Sequence, residues 1–147
     1  MNKNSLKNIA TKVIDLEINA LKILKKSVNK NFDRAVNTIV NCQSKIILCG
    51  VGKSGLIAAK IASTLSSVGS PAFSLSANDC LHGDLGSITK KDVLILISNS
   101  GKSEEIIPII KFANRNKIKL IGIVSKKNSF LYKAADIKIL LPEVKES

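Results

Sequence analysis

The sequence predicts an α/β fold: a doubly wound, five-stranded parallel sheet with helices on both faces and two further helices ahead of it. Three observations lead there. Short apolar runs such as Val93-Leu-Ile-Leu-Ile97 are bounded by polar residues and read as strands buried on both faces. Segments with apolar residues at helical spacing alternate with those runs, which requires parallel strands joined by right-handed crossovers. The 147 residues suffice for one core, and no repeat or low-complexity linker divides them. The expected division is residues 1–42 as N-terminal helices, packed on the domain or on a neighbouring subunit, and residues 43–147 as a single ligand-binding domain.

From Ser5 to Lys26, Leu6, Ile9, Ala10, Val13, Leu16, Ala20, Leu21 and Leu24 fall on one side of a long helix, with Lys and Asn on the other. Asn29-Lys-Asn31 interrupts it, and a second helix turns Phe32, Ala35, Val36, Ile39 and Val40 inward. So long an apolar stripe suits subunit packing, and equally suits cover for one edge of the sheet. Lys45-Ile-Ile-Leu-Cys49 is the first strand, followed by Gly50-Val-Gly-Lys-Ser-Gly55 and a helix through Leu56, Ile57, Ala59, Ile61, Ala62, Leu65 and Val68. Gly69 and Pro71 stop that helix, and Ala72–Ser76 forms the second strand. The third strand, Val93–Ile97, runs into Ser98-Asn-Ser-Gly-Lys-Ser-Glu-Glu-Ile106, and a helix carries Ile106, Ile107, Ile109, Ile110 and Ala113. Lys119–Val124 is the fourth strand; a short helix from Leu131 to Ala135 leads to the fifth, Ile137–Leu141.

The net charge of +12 raises the question of nucleic acid. Only Arg34 and Arg115 are arginines, however, and Phe32, Phe73, Phe112, Phe130 and Tyr132 are scattered, so the lysines read as a solvated face rather than a nucleic-acid surface. Their field attracts anionic metabolites. No apolar run of eighteen residues and no leader pattern is present, so neither membrane span nor signal peptide is expected. Cys42, Cys49 and Cys80 lack C-x-x-C spacing, which fits a reduced, cytoplasmic setting without a metal site.

The chemistry concentrates after the strands. Ser98, Asn99, Ser100 and Gly101 form a turn between a buried strand and a helix start, bringing backbone N–H groups and the hydroxyls of Ser98, Ser100 and Ser103 around one point. That is a cradle for phosphate; the plainer alternative is a helix cap by Ser100 or Ser103 with Glu104 and Glu105 complementing the dipole. Gly50, Gly52 and Gly55 satisfy G-x-G-x-x-G, but the second strand ends without a carboxylate for a ribose, and Asp79 lies three residues beyond it. A P-loop needs glycine where Ile47 stands. A smaller phosphate ligand fits better, with the loop leaving room for it and Lys53 or Ser54 touching it. In a doubly wound sheet the first and third strands meet where the order reverses, so both loops open into one crevice. Between them Ala77–Gly86 holds the single histidine, His82; Gly83 and Gly86 around Asp84 describe a tight loop, which makes His82 a substrate contact.

Gly50-Val-Gly-Lys-Ser-Gly55, His82-Gly-Asp-Leu-Gly86 and Ser98–Ile106 together resemble the sugar isomerase (SIS) domain, specifically its arabinose-5-phosphate isomerase branch, over nearly the whole chain. The resemblance implies a flavodoxin-like SIS fold. It implies a cytoplasmic homotetramer, without cofactor or metal, that interconverts D-ribulose 5-phosphate and D-arabinose 5-phosphate through an enediol for Kdo, lipopolysaccharide or capsule synthesis. By position, Ser98, Asn99, Ser100 and Ser103 with Gly52 and Ser54 would bind the phosphosugar, and Lys53, His82, Glu105 and Glu146 would serve catalysis. Members of the branch continue through a Thr- and Ser-rich segment to a Ser-His-Pro-Gly-Gly stretch with a catalytic histidine, and often to CBS domains; this sequence has no counterpart of either. Lys102 replaces a common Glu or Gln. The resemblance therefore implies that phosphosugar binding survives better than turnover in this chain, with a partly uncovered fifth strand. A non-catalytic phosphosugar sensor, an isomerase for another sugar phosphate and, outside this branch, a dehydrogenase are the rival readings.

Overall fold

The computed structural model describes residues 3–144, so Glu146 lies outside the described residues. In chain order the elements are α1 (Lys3–Ser27), α2 (Lys30–Val40), β1 (Ile46–Gly50), α3 (Lys53–Ser67), β2 (Ala72–Ser76), α4 (Ala77–Leu81), β3 (Val93–Ile97), α5 (Ile106–Arg115), β4 (Lys119–Val124), α6 (Phe130–Ala134) and β5 (Ile137–Leu140), with a 3-10 turn at Asp84–Ser87. All strands pair in parallel, in the order β2-β1-β3-β4-β5. This is the doubly wound sheet with its reversal between β1 and β3 that the alternating pattern predicts.

The two-residue strand period divides the core. Ile47, Cys49, Leu94, Leu96, Leu120 and Val124 face α5 through Ile106, Ile109, Ile110 and Ala113, and reach α6 at Leu131. Their alternates Ile46, Leu48, Val93, Ile95, Ile121 and Ile137 face α3 at Ala58 and Ala62, and α2 at Ala35. Each large side chain so buried contributes roughly 1.5–3 kcal/mol, and the small alanines let α3 lie close on the sheet.

The amino end of the sheet is tied by Asp92. This buried carboxylate accepts from the Thr89 N–H (2.6 Å) and hydroxyl (3.1 Å) and pairs with Lys45 Nζ at 2.9 Å. Burial alone would raise its pKa; the Thr89 N–H, Ser44, Lys45 and the Thr89 hydroxyl outweigh it and bring the group down to about 2.

Two expectations change in detail. The segment from Ala77 to Gly86, read as a loop, opens as α4 and closes with the 3-10 turn, because Ala77 and Cys80 sit one helical turn apart and bury themselves on the sheet. The two N-terminal helices also differ from each other. α2 lies against β5, and with the end of α1 it frames a groove of about 250 Å³ lined by Leu24, Phe32, Ile139 and Leu141 among others, so the fifth strand has partial cover. The stripe of α1 has little against it within the chain: Leu6, Ile9, Val13, Leu16 and Leu21 are all exposed, Leu21 at 62%.

Candidate functional site

The register places the predicted loops side by side. Gly50 pairs with Ile97 and with Ser76, so the β1–α3 loop, the turn after β3 and the start of α4 all leave the carboxyl edge of the sheet as neighbours. That edge, at the reversal of strand order, is where ligands bind in open α/β sheets.

The turn after β3 is held from both sides. Ser98 N–H donates to the Ile123 carbonyl (3.0 Å), Ser125 N–H to Asn99 (3.1 Å) and Leu131 N–H to Gly101 (3.1 Å), so β4 and α6 clamp it. Within the turn, the buried Ser98 hydroxyl accepts from Gly101 N–H at 3.0 Å, and Ser100 Oγ accepts weakly from Lys102 N–H at 3.3 Å. Gly101 adopts φ +62°, a conformation that side chains oppose. A rigid, preorganised loop of this kind binds with little ordering cost.

The plainer alternative, a serine cap, is not what the structure contains. α5 begins only at Ile106, with Glu105 at its N-cap and no side-chain cap bond; the Ile106 N–H turns back to the Ser103 carbonyl. The side chains of Ser100 and Ser103 therefore do not cap the helix. Asn99 and Ser100 are exposed, and Ser103 and Glu105 are half-buried. Ser98 differs from the expectation: its side chain shapes the turn from beneath rather than standing open at the surface.

The glycine loop serves packing more than ligand approach. A Cβ on Gly50 would lie 2.7 Å from the Ser54 backbone, and one on Gly55 would lie 2.9 Å from the Gly50 carbonyl, so these two glycines let α3 cross the end of β1. Ser54 and Gly55 N–H groups already donate to the Val51 and Gly52 carbonyls. Gly52, exposed at φ +55° with open space where a Cβ would be, is the one glycine of this loop free to face a ligand. Lys53 follows it as the exposed first residue of α3, and Ser54 is half-buried. His82, exposed, ends α4 with its N–H on the Asp79 carbonyl at 2.9 Å.

A shallow cleft of about 420 Å³ reaches Ser100 from the side of the β4–α6 loop, lined by Lys102, Lys126, Lys127, Asn128 and Glu143. Glu143 pairs with Lys126 at 2.6 Å, which leaves the cleft cationic. Lys53, His82 and Glu105 are not part of its lining. No cluster of three or more His, Cys, Asp or Glu suited to a metal occurs among the described residues. Sequence reading passed over Ser129. It is fully buried, caps α6 by accepting from Tyr132 N–H, and packs on Gly101; the signal was a serine directly before a helix.

Comparison with known proteins places this geometry. The chain is 43% identical over 129 residues to the arabinose 5-phosphate isomerase KdsD of Yersinia pestis, covering 88% of this chain and 39% of that protein. It is 40% identical over 143 residues to the KdsD of Francisella tularensis, covering 95% and 44%. The chain thus spans less than half the length of these curated relatives. Among solved structures, the E. coli CFT073 protein c3406 in complex with arabinose 5-phosphate superposes with a TM-score of 0.92 at 34% identity, over all of this chain and 78% of that one. The SIS domain matches residues 39–147, and the chain, with its parallel sheet and its serine turn at the reversal of strand order, belongs to the SIS domain family.

Proposed function

We propose that this chain is the phosphosugar-binding domain of an aldose–ketose isomerase that interconverts D-arabinose 5-phosphate and D-ribulose 5-phosphate. The observation that carries the reading is the clamped turn Ser98–Ser103 beside Gly52 and Lys53 at the carboxyl edge of β1 and β3. Backbone N–H groups and hydroxyls in a fixed turn suit a phosphate, and the cationic cleft beside Ser100 adds attraction. The identity to KdsD proteins and the likeness to a structure holding arabinose 5-phosphate support the pentose phosphate over other sugars.

Isomerisation moves a proton between C1 and C2, which needs a base, a donor for the carbonyl oxygen and a group that opens the sugar ring. We assign the base to Glu105, beside the phosphate turn, and the donor and ring-opening roles to Lys53 and His82; Glu146 is the further carboxylate. Asn99, Ser100, Ser103 and Ser54 hold the ligand, with Ser98 as the residue that sets the turn. We further assign residues 1–42 to subunit packing in a homotetramer, the exposed stripe of α1 being the supporting feature. The assigned setting is cytoplasmic, in supply of Kdo.

The test is calorimetric binding of D-arabinose 5-phosphate together with turnover of D-ribulose 5-phosphate in one preparation. Saturable binding abolished by Ser100→Ala and Ser103→Ala in combination is expected, and any turnover present is lost in Glu105→Gln. Binding without turnover would leave a phosphosugar-binding domain whose catalysis needs groups beyond these; absence of binding would overturn the proposal.

A further inference from the structure

Two clefts adjoin on the outer face of α5 and α6. One, of about 420 Å³, is the cleft that reaches Ser100; the other, of about 400 Å³, is lined by Ile107, Lys111, Phe130 and Lys133, and both include Lys102 and Asn128. Each helix contributes the same kind of pair. Ile107 and Lys111 on α5, and Phe130 and Lys133 on α6, stand one turn apart, so an apolar side chain and a cation share a face. The β4–α6 loop adds Lys126 and Lys127, held in a turn that the Ser129 N–H closes on the Lys126 carbonyl at 3.1 Å.

The charge of this face is one-sided. Among the described residues Lys126 pairs with Glu143, whereas Lys102, Lys111, Lys127 and Lys133 have no carboxylate partner, and Glu104 and Glu105 line neither cleft. Of the four phenylalanines, Phe73 and Phe112 are half-buried and Phe32 lines the groove framed by α1 and α2; Phe130 stands 40% exposed amid these lysines. A face that served solubility alone would hold the lysines without the ring.

We propose that this face docks an acidic polypeptide segment of a partner protein, with carboxylates on Lys102, Lys111, Lys127 and Lys133 and an apolar side chain seated against Ile107 and Phe130. A second copy of the chain does not suit it, since the net charge of +12 sets like against like. Nucleic acid suits it less than a peptide: neither Arg34 nor Arg115 lines either cleft, and one ring offers no series of stacking platforms. A compact phosphate is held by donors converging from fixed backbone, as in the turn at Ser98–Ser103. These lysines instead spread over two adjoining clefts on flexible stems, which matches charges spaced along a chain. Exposed ion pairs contribute little singly, so the contact is transient and salt-sensitive, and the apolar pair sets its position.

The isotope-labelled chain is titrated at low salt with a short acetylated peptide of glutamates interrupted by leucines, and amide shifts read the footprint. Saturable shifts confined to residues 102–111 and 126–133 are expected, with affinity falling steeply as salt rises. Lys111→Glu with Lys133→Glu should weaken binding by about tenfold or more, and Phe130→Ala by a smaller factor. Lys60→Glu with Lys90→Glu makes the same change of net charge at exposed positions outside both clefts and should leave affinity within about twofold. Equal weakening by the two charge reversals would reduce the effect to net charge and overturn the proposal. It would equally be overturned by absence of saturable shifts, by a footprint elsewhere, by equal binding of the glutamine version of the peptide, or by tighter binding of tripolyphosphate or an oligothymidylate to the same residues. The wild-type footprint decides the location without recourse to a variant.

Discussion

Gly101 packs against Ser129 so closely that a Cβ on the glycine would fall inside the serine side chain. The two residues belong to different loops, one after β3 and one before α6, and their contact helps fix the turn to which we assign the phosphate. Gly101→Ala meets both that collision and a φ of +62°. The expected loss is roughly 2–5 kcal/mol in urea unfolding, with phosphosugar binding lost in the fraction that folds. Ser129→Gly in the same chain removes the collision but not the backbone strain, so the pair should couple favourably in a double-mutant cycle; strict additivity would show that the contact is not what constrains the turn.

The two serines at the start of the turn separate structure from binding. Ser98 is buried and its hydroxyl satisfies Gly101 N–H, whereas Ser100 is exposed and bonds only weakly within the turn. Ser98→Ala leaves a buried donor unpaired, at a cost of about 1–3 kcal/mol, and weakens phosphosugar binding as well. Ser100→Ala should change stability by less than about 0.5 kcal/mol while reducing affinity. Calorimetry and chemical unfolding on both variants read the split; equal stability losses would contradict the assignment.

The sheet and the helix order were legible because each rests on a local pattern. Val93–Ile97 and its counterparts carry enough consecutive aliphatic residues to declare buried strands, and Gly69 with Pro71 stops α3 by backbone chemistry alone. The glycine loop was harder, since G-x-G-x-x-G looks the same whether a glycine yields to a ligand or to a neighbouring backbone; Gly50 and Gly55 turn out to do the second. Ser129 escaped for the opposite reason. Its importance lies in a contact with Gly101, 28 positions earlier, that no local spacing announces. Likewise the helical pattern in α1 and α2 gives the apolar face but not its partner, and only the fold shows that α2 meets β5 while α1 stays bare.

Asp92 makes stability depend on pH at the acid end. Its carboxyl is held at about 2 against an ordinary value of 3.8, so the folded form prefers the carboxylate. A depressed folded pKa stabilises above the unfolded value and loses that contribution as protons are taken up between about 3.8 and 2. The shift corresponds to roughly 2 kcal/mol at neutral pH. Asp92→Asn should lower stability at pH 7 by about that amount and flatten the fall below pH 4. Urea midpoints of both proteins at pH 7, 4 and 2.5 check this; parallel curves would show that other carboxylates govern acid unfolding.

The bare stripe of α1 bears on assembly. Leu16 and Leu21, at 51% and 62% exposure, lie on the same side of a helix whose only half-buried apolar positions, among the described residues, are Ala20 and Leu24. A run of exposed aliphatic side chains along 25 residues is costly in water and ordinarily marks an interface. If copies of this chain bury it against one another, Leu16→Glu with Leu21→Glu should dissociate the assembly while leaving the sheet intact, because neither residue belongs to its core clusters. Light scattering gives the mass and circular dichroism the fold. A smaller species with unchanged ellipticity is the expected result, and phosphosugar affinity should fall with it if neighbouring subunits complete the site. An unchanged mass would move the interface elsewhere.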